Sequence, residues 1–379
     1  MIDKIIRKLH LSKLMFKLVR KYVHHKQLCF KTTRDALDYL HNISPDSGHT
    51  CITDRILPAS DYDLEVIVPC YNAEKYIEEC IDSIISQETK YNFYVTIVND
   101  GSKDRSREIL QKYVVYGNVR IIDQENRGHS GARNAGIAQV QGRYLMFVDS
   151  DDVLLPGTIE ELMSLAMQND ADIVDSSHIR FADYSHKGIR ALLMAGIYNS
   201  LQKPQKLTNN SNASRITGYP WGKVIKSELF NRVEFPLNYW FEDTIVWMIL
   251  LPLSKRIVTS EKITTCYRMN PSSISHVAYM SNKSIDTLYV TLQLLKDREI
   301  LGIELDQNQY DLLLAQFRIN FNRVASLDAK IRSAVFQIQS ELLNNRFPTW
   351  DTLDPNLMVI QNFLRTGDLA SFELWCRWH

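Results

Sequence analysis

Apolar and polar positions in the middle of the chain predict strands and helices in turn. Short apolar runs at residues 64–69, 93–98, 119–122 and 143–148 predict buried strands. Between these runs, apolar residues recur at helical spacing, as in residues 73–87 and 131–140. Strands that alternate with helices of this length predict an α/β fold with a mainly parallel sheet and helices on both faces.

The two ends of the chain have different patterns. Residues 1–26 are basic and carry a helical stripe of apolar residues, which predicts an amphipathic arm. Such an arm can lie on an anionic membrane surface or pack against protein, and both interpretations stay open. We predict three regions: the arm and a turn-rich linker at 1–60, the α/β domain at 61–280, and a helical region at 281–379 whose default role is packing or homo-oligomerisation.

Composition excludes several classes of protein. The chain has 379 residues, and its 44 Lys+Arg balance its 44 Asp+Glu, so its overall charge does not favour a nucleic-acid partner. Six cysteines without a CxxC pair favour reduced thiols over a disulfide framework or a zinc site. The longest uncharged apolar run, residues 244–253, is about half the length of a membrane span and predicts a buried helix instead. With no clean apolar segment at the N-terminus, we expect a cytoplasmic protein, with the inner face of the membrane as the alternative.

Polar residues follow three of the predicted strands. Tyr71 and Asn72 come after the first strand, Asp100 after the second, and an acidic cluster that includes Asp149 and Asp151 after the fourth. Ligands of such sheets bind beyond the carboxyl ends of the strands, so these residues are expected on one rim. A carboxylate accepts hydrogen bonds from a base N–H, and paired carboxylates supply hard oxygen ligands for Mg²⁺ or Mn²⁺ bound to a diphosphate. Each signal alone also fits a turn or a helix cap, but the ordered set favours a ligand site.

These segments together resemble the family 2 glycosyltransferases, which have the GT-A fold. The resemblance covers roughly residues 63–276 and rests on four stretches: VIVPCYNAEKYIEECIDSIISQ, IVNDGSKDRSREIL, NRGHSGARNAGI and GRYLMFVDSDD. It implies a UDP-sugar donor, a divalent metal (Mn²⁺ or Mg²⁺) at the DxD-type motif, and a glycan, lipid-linked or protein acceptor. The implied setting is the synthesis of a cell-surface polysaccharide or glycoconjugate.

The resemblance also implies roles for single residues. Asp100 would bind the base, with Pro69 and Tyr71 beside it, while Asp151 would be the main metal ligand. The implied donor-binding set is Pro69, Tyr71, Asn72, Asp100, Gly128, Arg133, Asn134, Asp149, Ser150 and Arg268, and the implied metal set is Asp149, Asp151 and His276. Arg133 could instead be a structural ion-pair partner of the acidic rim. Arg268 and His276 are candidates for phosphate contact or metal completion, and each also fits an ordinary loop residue.

The segment WFEDTIVW carries the candidate catalytic pair. Inverting transfer needs a carboxylate that takes the acceptor hydroxyl's proton. Glu242 and Asp243 match the family's general-base position, and we predict Asp243 as the base with Glu242 orienting it. Both residues also suit the N-terminus of the helix predicted to follow, which is compatible with catalysis.

Two other classes of protein also combine an α/β sheet with nucleotide binding. A nucleotidyltransferase needs a glycine-rich, basic loop after the first strand, and PCYNAEKY (69–76) lacks one. A non-catalytic nucleotide-sugar-binding scaffold subunit is the alternative that stays open.

Overall fold

The structure, a computed structural model, describes residues 16, 19, 28–58, 60–182, 206–208, 216–270 and 278–378. The chain divides into two compact units. The larger unit contains the described parts of residues 48–273 together with 290–304, and the smaller unit the described parts of 1–47, 274–289 and 305–379. The three regions predicted from the sequence stay a prediction, because each unit combines separate stretches of chain.

The larger unit is built on one sheet, which has nine strands among the described residues. The strands are β1 (Tyr62–Cys70), β2 (Phe93–Asp100), β3 (Val119–Gln124), β4 (Gly142–Phe147), β5 (Val153–Leu154), β6 (Ile173–Ala182), β7 (Lys206–Thr208), β8 (Lys223–Lys226) and β9 (Arg256–Met269). Their order across the sheet is β3-β2-β1-β4-β8-β6-β9-β5, and β7 pairs with β9.

The first four strands in this order are parallel. Val66 of β1 pairs with Val95 of β2 and with Met146 of β4, and β3 continues in the same direction. The carboxyl ends of β1, β2 and β4 therefore meet at one edge, which confirms the predicted rim. Beyond β4 the sheet is mixed, because β8 is antiparallel to both β4 and β6, and β5 and β7 are antiparallel to β9.

Eleven α-helices lie in the described residues. They are α1 (Thr33–Ile43), α2 (Ile77–Ile85), α3 (Ser106–Leu110), α4 (Gly128–Ile137), α5 (Thr158–Asn169), α6 (Leu251–Leu253), α7 (Asp286–Ile300), α8 (Gln307–Arg323), α9 (Ala329–Arg346), α10 (Pro355–Thr366) and α11 (Leu369–Trp378).

The two faces of β1 are covered by different helices. Val66 and Val68 belong to a buried core that also contains Ile81 of α2. Ile67 points to the opposite face, where Gly136 of α4 approaches so closely that an added Cβ would lie 2.6 Å from Ile67 Cγ2. Helices therefore lie on both faces of the parallel half, as predicted.

The buried helix predicted at 244–253 consists of three short pieces instead. A 3₁₀ turn (Glu242–Thr244), a π-helical turn (Val246–Leu250) and α6 follow one another. Phe241, which precedes them, has a left-handed conformation with φ 66° that is uncommon for a bulky residue. Pro252 has no backbone N–H to donate to the preceding π-helical turn, which contributes to the irregular geometry.

Strand β9 is the main element that the hydrophobic pattern does not predict. Thr259, Ser260 and Thr264 interrupt its apolar residues, yet all three are buried. Thr264 Oγ1 lies 2.5 Å from Ser176 Oγ, and Ser260 Oγ donates to Glu161. Hydrogen bonding satisfies these polar groups inside the sheet, so the alternation that marks a strand is lost.

The helical region predicted at 281–379 is confirmed by α7 to α11, of which α8 to α11 lie in the smaller unit. The backbone N–H of Cys29 donates to Ser333 Oγ of α9. Phe16 packs edge-on against Trp375, with ring centroids 5.0 Å apart. Apart from Phe16 and Val19, the basic arm at 1–26 lies outside the described residues. No described helix combines the length and the apolarity needed to cross a membrane.

Candidate active site

Asp100 ends β2 and is only 2% exposed. Its Oδ1 accepts hydrogen bonds from Gln124 Nε2 at 2.6 Å and from the backbone N–H of Arg127 at 2.8 Å. The next residue, Gly101, has φ +72°, and a Cβ there would lie 2.8 Å from the backbone N of Asn126. Asp100 thus joins the ends of β2 and β3 to the loop that leads into α4.

The end of β1 is tied to the loop that follows β2. Pro69 lies inside β1, where it pairs with Val98, and Tyr71 just beyond the strand is 49% exposed. Asn72 donates its backbone N–H to Ser102 Oγ at 3.1 Å and accepts at Oδ1 from the backbone N–H of Lys103 at 2.7 Å. The exposed Tyr71 ring is therefore carried on a fixed turn.

Helix α4 begins at Gly128, whose φ is +72°. Two turns on, Asn134 is buried, and both atoms of its side-chain amide bind the backbone of Phe235: Nδ2 donates to the carbonyl at 2.8 Å and Oδ1 accepts from the N–H at 2.9 Å. Ser130 Oγ donates to the carbonyl of Pro236 at 2.7 Å. The contacts observed for Asn134 thus fix the segment that leads to Glu242, and its donor-binding role stays a prediction.

Arg133 connects the end of β4 with the candidate catalytic pair. Its Nη1 lies 2.5 Å from Glu242 Oε1 and its Nη2 lies 3.0 Å from Asp149 Oδ1. The guanidinium is buried and also lies over the Phe235 ring, 5.3 Å from its centroid. Burial works to lower the pKa of Arg133, but the two carboxylates outweigh it and the pKa is raised. Arg133 therefore stays charged and holds both acids in place.

The cluster that follows β4 forms a closed turn, which we call the acidic turn (149–152). The N–H of Asp152 donates to the carbonyl of Asp149 at 2.9 Å, and Ser150 lies partly exposed between them. Asp152 is 1% exposed, and its Oδ2 has no hydrogen-bond partner. Burial, together with the charges of Asp149 and Asp151, raises the pKa of Asp152 well above its usual range.

Asp151, like Asp149, is a partly exposed carboxylate of the acidic turn. Its Oδ2 accepts from Asn270 Nδ2 at 3.3 Å. Burial, and then the neighbouring charge of Asp149, raises the pKa of Asp151. The turn thus concentrates negative charge that a cation would relieve.

Arg268 supports the acidic turn from β9. Its backbone N–H donates to Asp152 Oδ1 at 2.8 Å, and its Nε donates to the carbonyl of Asp151 at 2.7 Å. Nη2 lies 2.6 Å from Glu79 Oε2 of α2, and the guanidinium is 4% exposed. Arg268 therefore connects β9 with α2 and the acidic turn from a buried position. Its contact with a diphosphate stays a prediction. His276 lies outside the described residues.

Glu242 and Asp243 open the 3₁₀ turn that follows Phe241. The Glu242 side chain is 12% exposed and bound to Arg133, and Asp243 is partly exposed beside it. The structure therefore brings Asp149 and Glu242 of the candidate catalytic pair together through Arg133.

The residues of the acidic turn fit a divalent cation that is shared with a phosphate ligand. Within the described part of the chain, no three His, Cys, Asp or Glu side chains converge on a metal position. Mg²⁺ and similar ions, however, are commonly held by one or two carboxylates, waters and substrate phosphates. Asp151 offers a hard oxygen beside Asp149, and the buried Oδ2 of Asp152 has no hydrogen-bond partner behind them.

Three supporting residues were not predicted from the sequence: Gln124, Glu79 and Asn270. Gln124 ends β3, so applying the strand-end rule to the third strand would have identified it. Glu79 and Asn270 have no local signal, because each acts through a partner far away in sequence.

The strand order and the acidic rim define a GT-A type α/β protein. Residues 65–232 match the family model described as Glycosyl transferase family 2. Glycosyltransferase GlyG of Streptococcus pneumoniae serotype 4 is 30% identical over 253 residues, which cover 64% of this chain and 82% of GlyG. The chain belongs to the family 2 glycosyltransferases, a family of enzymes.

The chain spans only part of the length of some other relatives. Glycosyltransferase GlyA of the same organism is 32% identical over 230 residues, 57% of this chain but only 32% of GlyA. A crystal structure of Staphylococcus aureus TarS, residues 1–349 with UDP-GlcNAc, superimposes with a TM-score of 0.64 at 21% identity, covering 82% of this chain and 89% of that chain. This likeness shows the fold. TarS is named as a poly(ribitol-phosphate) beta-N-acetylglucosaminyltransferase.

Proposed function

We propose that this chain is an inverting glycosyltransferase that moves a sugar from a UDP-sugar to a hydroxyl of a glycan, lipid-linked or protein acceptor. Synthesis of a cell-surface polysaccharide or glycoconjugate is the proposed setting. The family membership and the UDP-GlcNAc bound by TarS support the donor class.

The observation that carries this proposal is the bridge made by Arg133. One buried cation contacts Asp149 at 3.0 Å and Glu242 at 2.5 Å. Arg133 therefore fixes Asp149, at the strand end proposed to face the donor, relative to Glu242, on the element proposed to face the acceptor. Fixed placement of reacting groups lowers the entropic part of the barrier to transfer.

The donor side of the reaction is proposed to follow the rim. Asp100 and the exposed Tyr71 ring lie where the base would bind, at the ends of β2 and β1. Asp151, with Asp149 beside it, would hold a divalent ion against the diphosphate. Such an ion stabilises negative charge on the departing diphosphate.

Asp243 is proposed to act as the general base. Its carboxylate accepts the proton of the acceptor hydroxyl as that oxygen forms a bond to the anomeric carbon. The bond from the anomeric carbon to the diphosphate oxygen breaks, and UDP leaves with the electron pair. Glu242, held by Arg133, positions the short turn on which Asp243 lies.

The test combines donor turnover and donor binding. UDP release is measured from a panel of UDP-sugars, with Mn²⁺ and with EDTA, and UDP affinity is measured by calorimetry. We expect release from one donor that EDTA abolishes, and Asp243→Asn should remove turnover while leaving UDP affinity within about twofold. Asp61→Asn, at an exposed position at the start of the sheet, is the matched control and should change neither value.

Each contrary result has a distinct meaning. No UDP binding by the wild type would contradict the proposed donor class. Binding of a UDP-sugar without turnover, with or without acceptor, would favour the scaffold alternative. Normal turnover in Asp243→Asn would remove Asp243 from the mechanism.

A further inference from the structure

Three aromatic rings form a continuous stack beside the acidic turn. Tyr219 lies face to face on Trp221, with centroids 4.7 Å apart and planes 7° apart, and Trp221 lies on Tyr267 at 5.3 Å and 15°. We call Tyr219, Trp221 and Tyr267 the aromatic stack. Trp221 is covered on both faces and is 6% exposed, whereas Tyr219 is 36% exposed. The open surface of the stack is therefore the Tyr219 ring.

A buried network fixes the loop that carries this ring. Lys223 is fully buried, with Nζ 2.6 Å from Asp175 Oδ1 and 2.6 Å from Thr217 Oγ1. Ser176 Oγ donates to the carbonyl of Gly222 at 2.7 Å. Buried ion pairs add little net stability but hold a defined conformation in some proteins. Tyr219 and Trp221 lie between Thr217 and Lys223, so the network holds their loop on β6.

The aromatic stack lies next to the acidic turn on two sides. Trp221 forms a parallel bridge with Phe147, which ends β4 two residues before Asp149. Tyr267 directly precedes Arg268, whose N–H binds Asp152. The middle ring and one outer ring of the stack are thus joined through the backbone to segments that adjoin the acidic turn.

The strand order gives the stack a direction along the rim. Asp100 is on β2, on one side of β4, whereas the stack lies on and beside β8, β6 and β9, on the other side. The proposed base position, the acidic turn and the stack therefore follow one another. A ligand group at Tyr219 lies beyond the diphosphate, on the side away from the base.

The chemistry of the stack suits a sugar ring. An aromatic face is apolar and carries partial negative charge, which attracts the slightly positive C–H groups on one face of a pyranose. His178 packs edge-on against Trp221 at 4.8 Å and brings polar ring nitrogens to the same cluster. Burial lowers the pKa of His178, so its neutral imidazole can both donate and accept a hydrogen bond.

We propose that Tyr219, supported by Trp221 and Tyr267, is the platform on which a pyranose ring of the acceptor glycan stacks. This inference rests on the proposed function and names the acceptor class of the same site. It places a sugar, rather than a lipid or a polypeptide, nearest to the transferred group.

The experiment uses saturation-transfer NMR on the full chain with UDP and Mn²⁺ present. The probes are methyl β-D-glucopyranoside, methyl β-D-galactopyranoside and methyl N-acetyl-β-D-glucosaminide. We expect at least one probe to receive saturation, strongest at the C–H protons of a single ring face. Tyr219→Ala should weaken its binding by about tenfold, whereas Tyr219→Phe should retain it, because stacking needs the ring and not the hydroxyl.

Tyr116→Ala is the matched control. Tyr116 is 44% exposed and stacks on Tyr113 at 6.3 Å, so its removal also deletes an exposed, stacked tyrosine. Binding of the probe should be unchanged in this control. UDP affinity, measured on the same samples, reports whether each variant keeps a folded donor site.

Three results would overturn the inference. In the first, a wild type that binds UDP saturates none of the probes. In the second, Tyr219→Ala saturates the probe as strongly as the wild type. In the third, the Tyr116→Ala control loses as much binding as Tyr219→Ala. A fourth outcome concerns the source of the sugar ring: if Tyr219→Ala weakens the binding of UDP-GlcNAc but not that of UDP, the platform holds the donor sugar and the acceptor assignment is wrong. Failure of UDP binding in the wild type would instead count against the proposed function itself.

Discussion

Arg133 Nη1 lies 2.5 Å from Glu242 Oε1, although 109 residues separate the two in sequence. The second nitrogen of the same guanidinium binds Asp149 at 3.0 Å. One side chain of α4 thus sets the spacing between the acidic turn and the element that carries Asp243. Asp149 and Glu242 are mostly buried, with 22% and 12% of their side chains exposed, so solvent and salt screen these ion pairs less than a surface ion pair.

Replacing Arg133 should therefore be costly. Arg133→Ala leaves two carboxylates without their cation and should lower the free energy of unfolding by about 3 kcal/mol, measured by urea denaturation. Arg105→Ala is the control, because Arg105 pairs with Glu108 at a surface where both side chains are about 70% exposed, and it should leave the free energy of unfolding nearly unchanged. Equal effects of the two substitutions would show that the bridge does not stabilise the fold.

Metal dependence can be tested at Asp151 without relying on turnover. Asp151→Asn removes one negative charge and one hard oxygen from the acidic turn, so the Mn²⁺ concentration that half-saturates UDP binding should rise about tenfold or more. Calorimetric titration of UDP at a series of Mn²⁺ concentrations measures it. Asp61→Asn should leave the Mn²⁺ requirement unchanged, and an unchanged requirement in Asp151→Asn would exclude Asp151 as a ligand.

Close packing of α4 on β1 gives a test of the fold. Gly136→Ala would place its Cβ 2.6 Å from Ile67 Cγ2, and the overpacking should lower the free energy of unfolding by about 1–3 kcal/mol. Gly117→Ala meets no atom within 4 Å and should change the stability by about 0.5 kcal/mol or less. A neutral Gly136→Ala would mean that α4 can move away from β1 at little cost.

Acid stability should depend on Glu160 in the first turn of α5. The hydroxyl of Thr89 and the backbone N–H of Lys90 donate to its Oε2, and these bonds lower its pKa from 4.5 to about 2. A carboxylate whose pKa is lower in the folded state stabilises the protein above pH 4.5, and this contribution is lost as the pH falls towards 2. Glu160→Gln should thus have a lower Tm than the wild type at pH 6, and the difference should shrink across this window.

Thr89→Val provides the companion measurement for that pH profile. It removes the hydroxyl that most lowers the pKa of Glu160, so its Tm deficit should shrink over the same pH range. A Tm difference that is independent of pH would show that Glu160 contributes by packing alone.

The sequence predicted those parts of the site that have a local signal. Asp100 and the acidic turn follow apolar runs, so their position at strand ends could be inferred from the order of elements. The interpretation of Arg133 as an ion-pair partner of the rim anticipated its contact with Asp149. Its second partner could not be inferred, because only tertiary folding brings Glu242 to α4.

For other parts of the structure, the sequence pattern either predicted something different or predicted nothing. Strand β9 escaped prediction because hydrogen bonds bury Thr264 and its polar neighbours inside the sheet. The stacking of Tyr219, Trp221 and Tyr267 depends on the pairing of β6 with β8 and β9, and the sequence gives no indication of that pairing. Arg268 was expected in a loop. It is buried because it packs against Glu79 and the acidic turn, which are both far from it in sequence.

Neighbouring residues on α4 hold the segment that carries Asp243 in two different ways. Asn134 binds the backbone of Phe235 through both atoms of its amide, and Arg133 binds the side chain of Glu242. Residues 235–243 are therefore shaped by a helix that is encoded a hundred residues earlier. A chimera that exchanges this segment between family members would need to carry α4 with it, since a transplanted acidic pair without its own helix would lose both its anchor and its counter-charge.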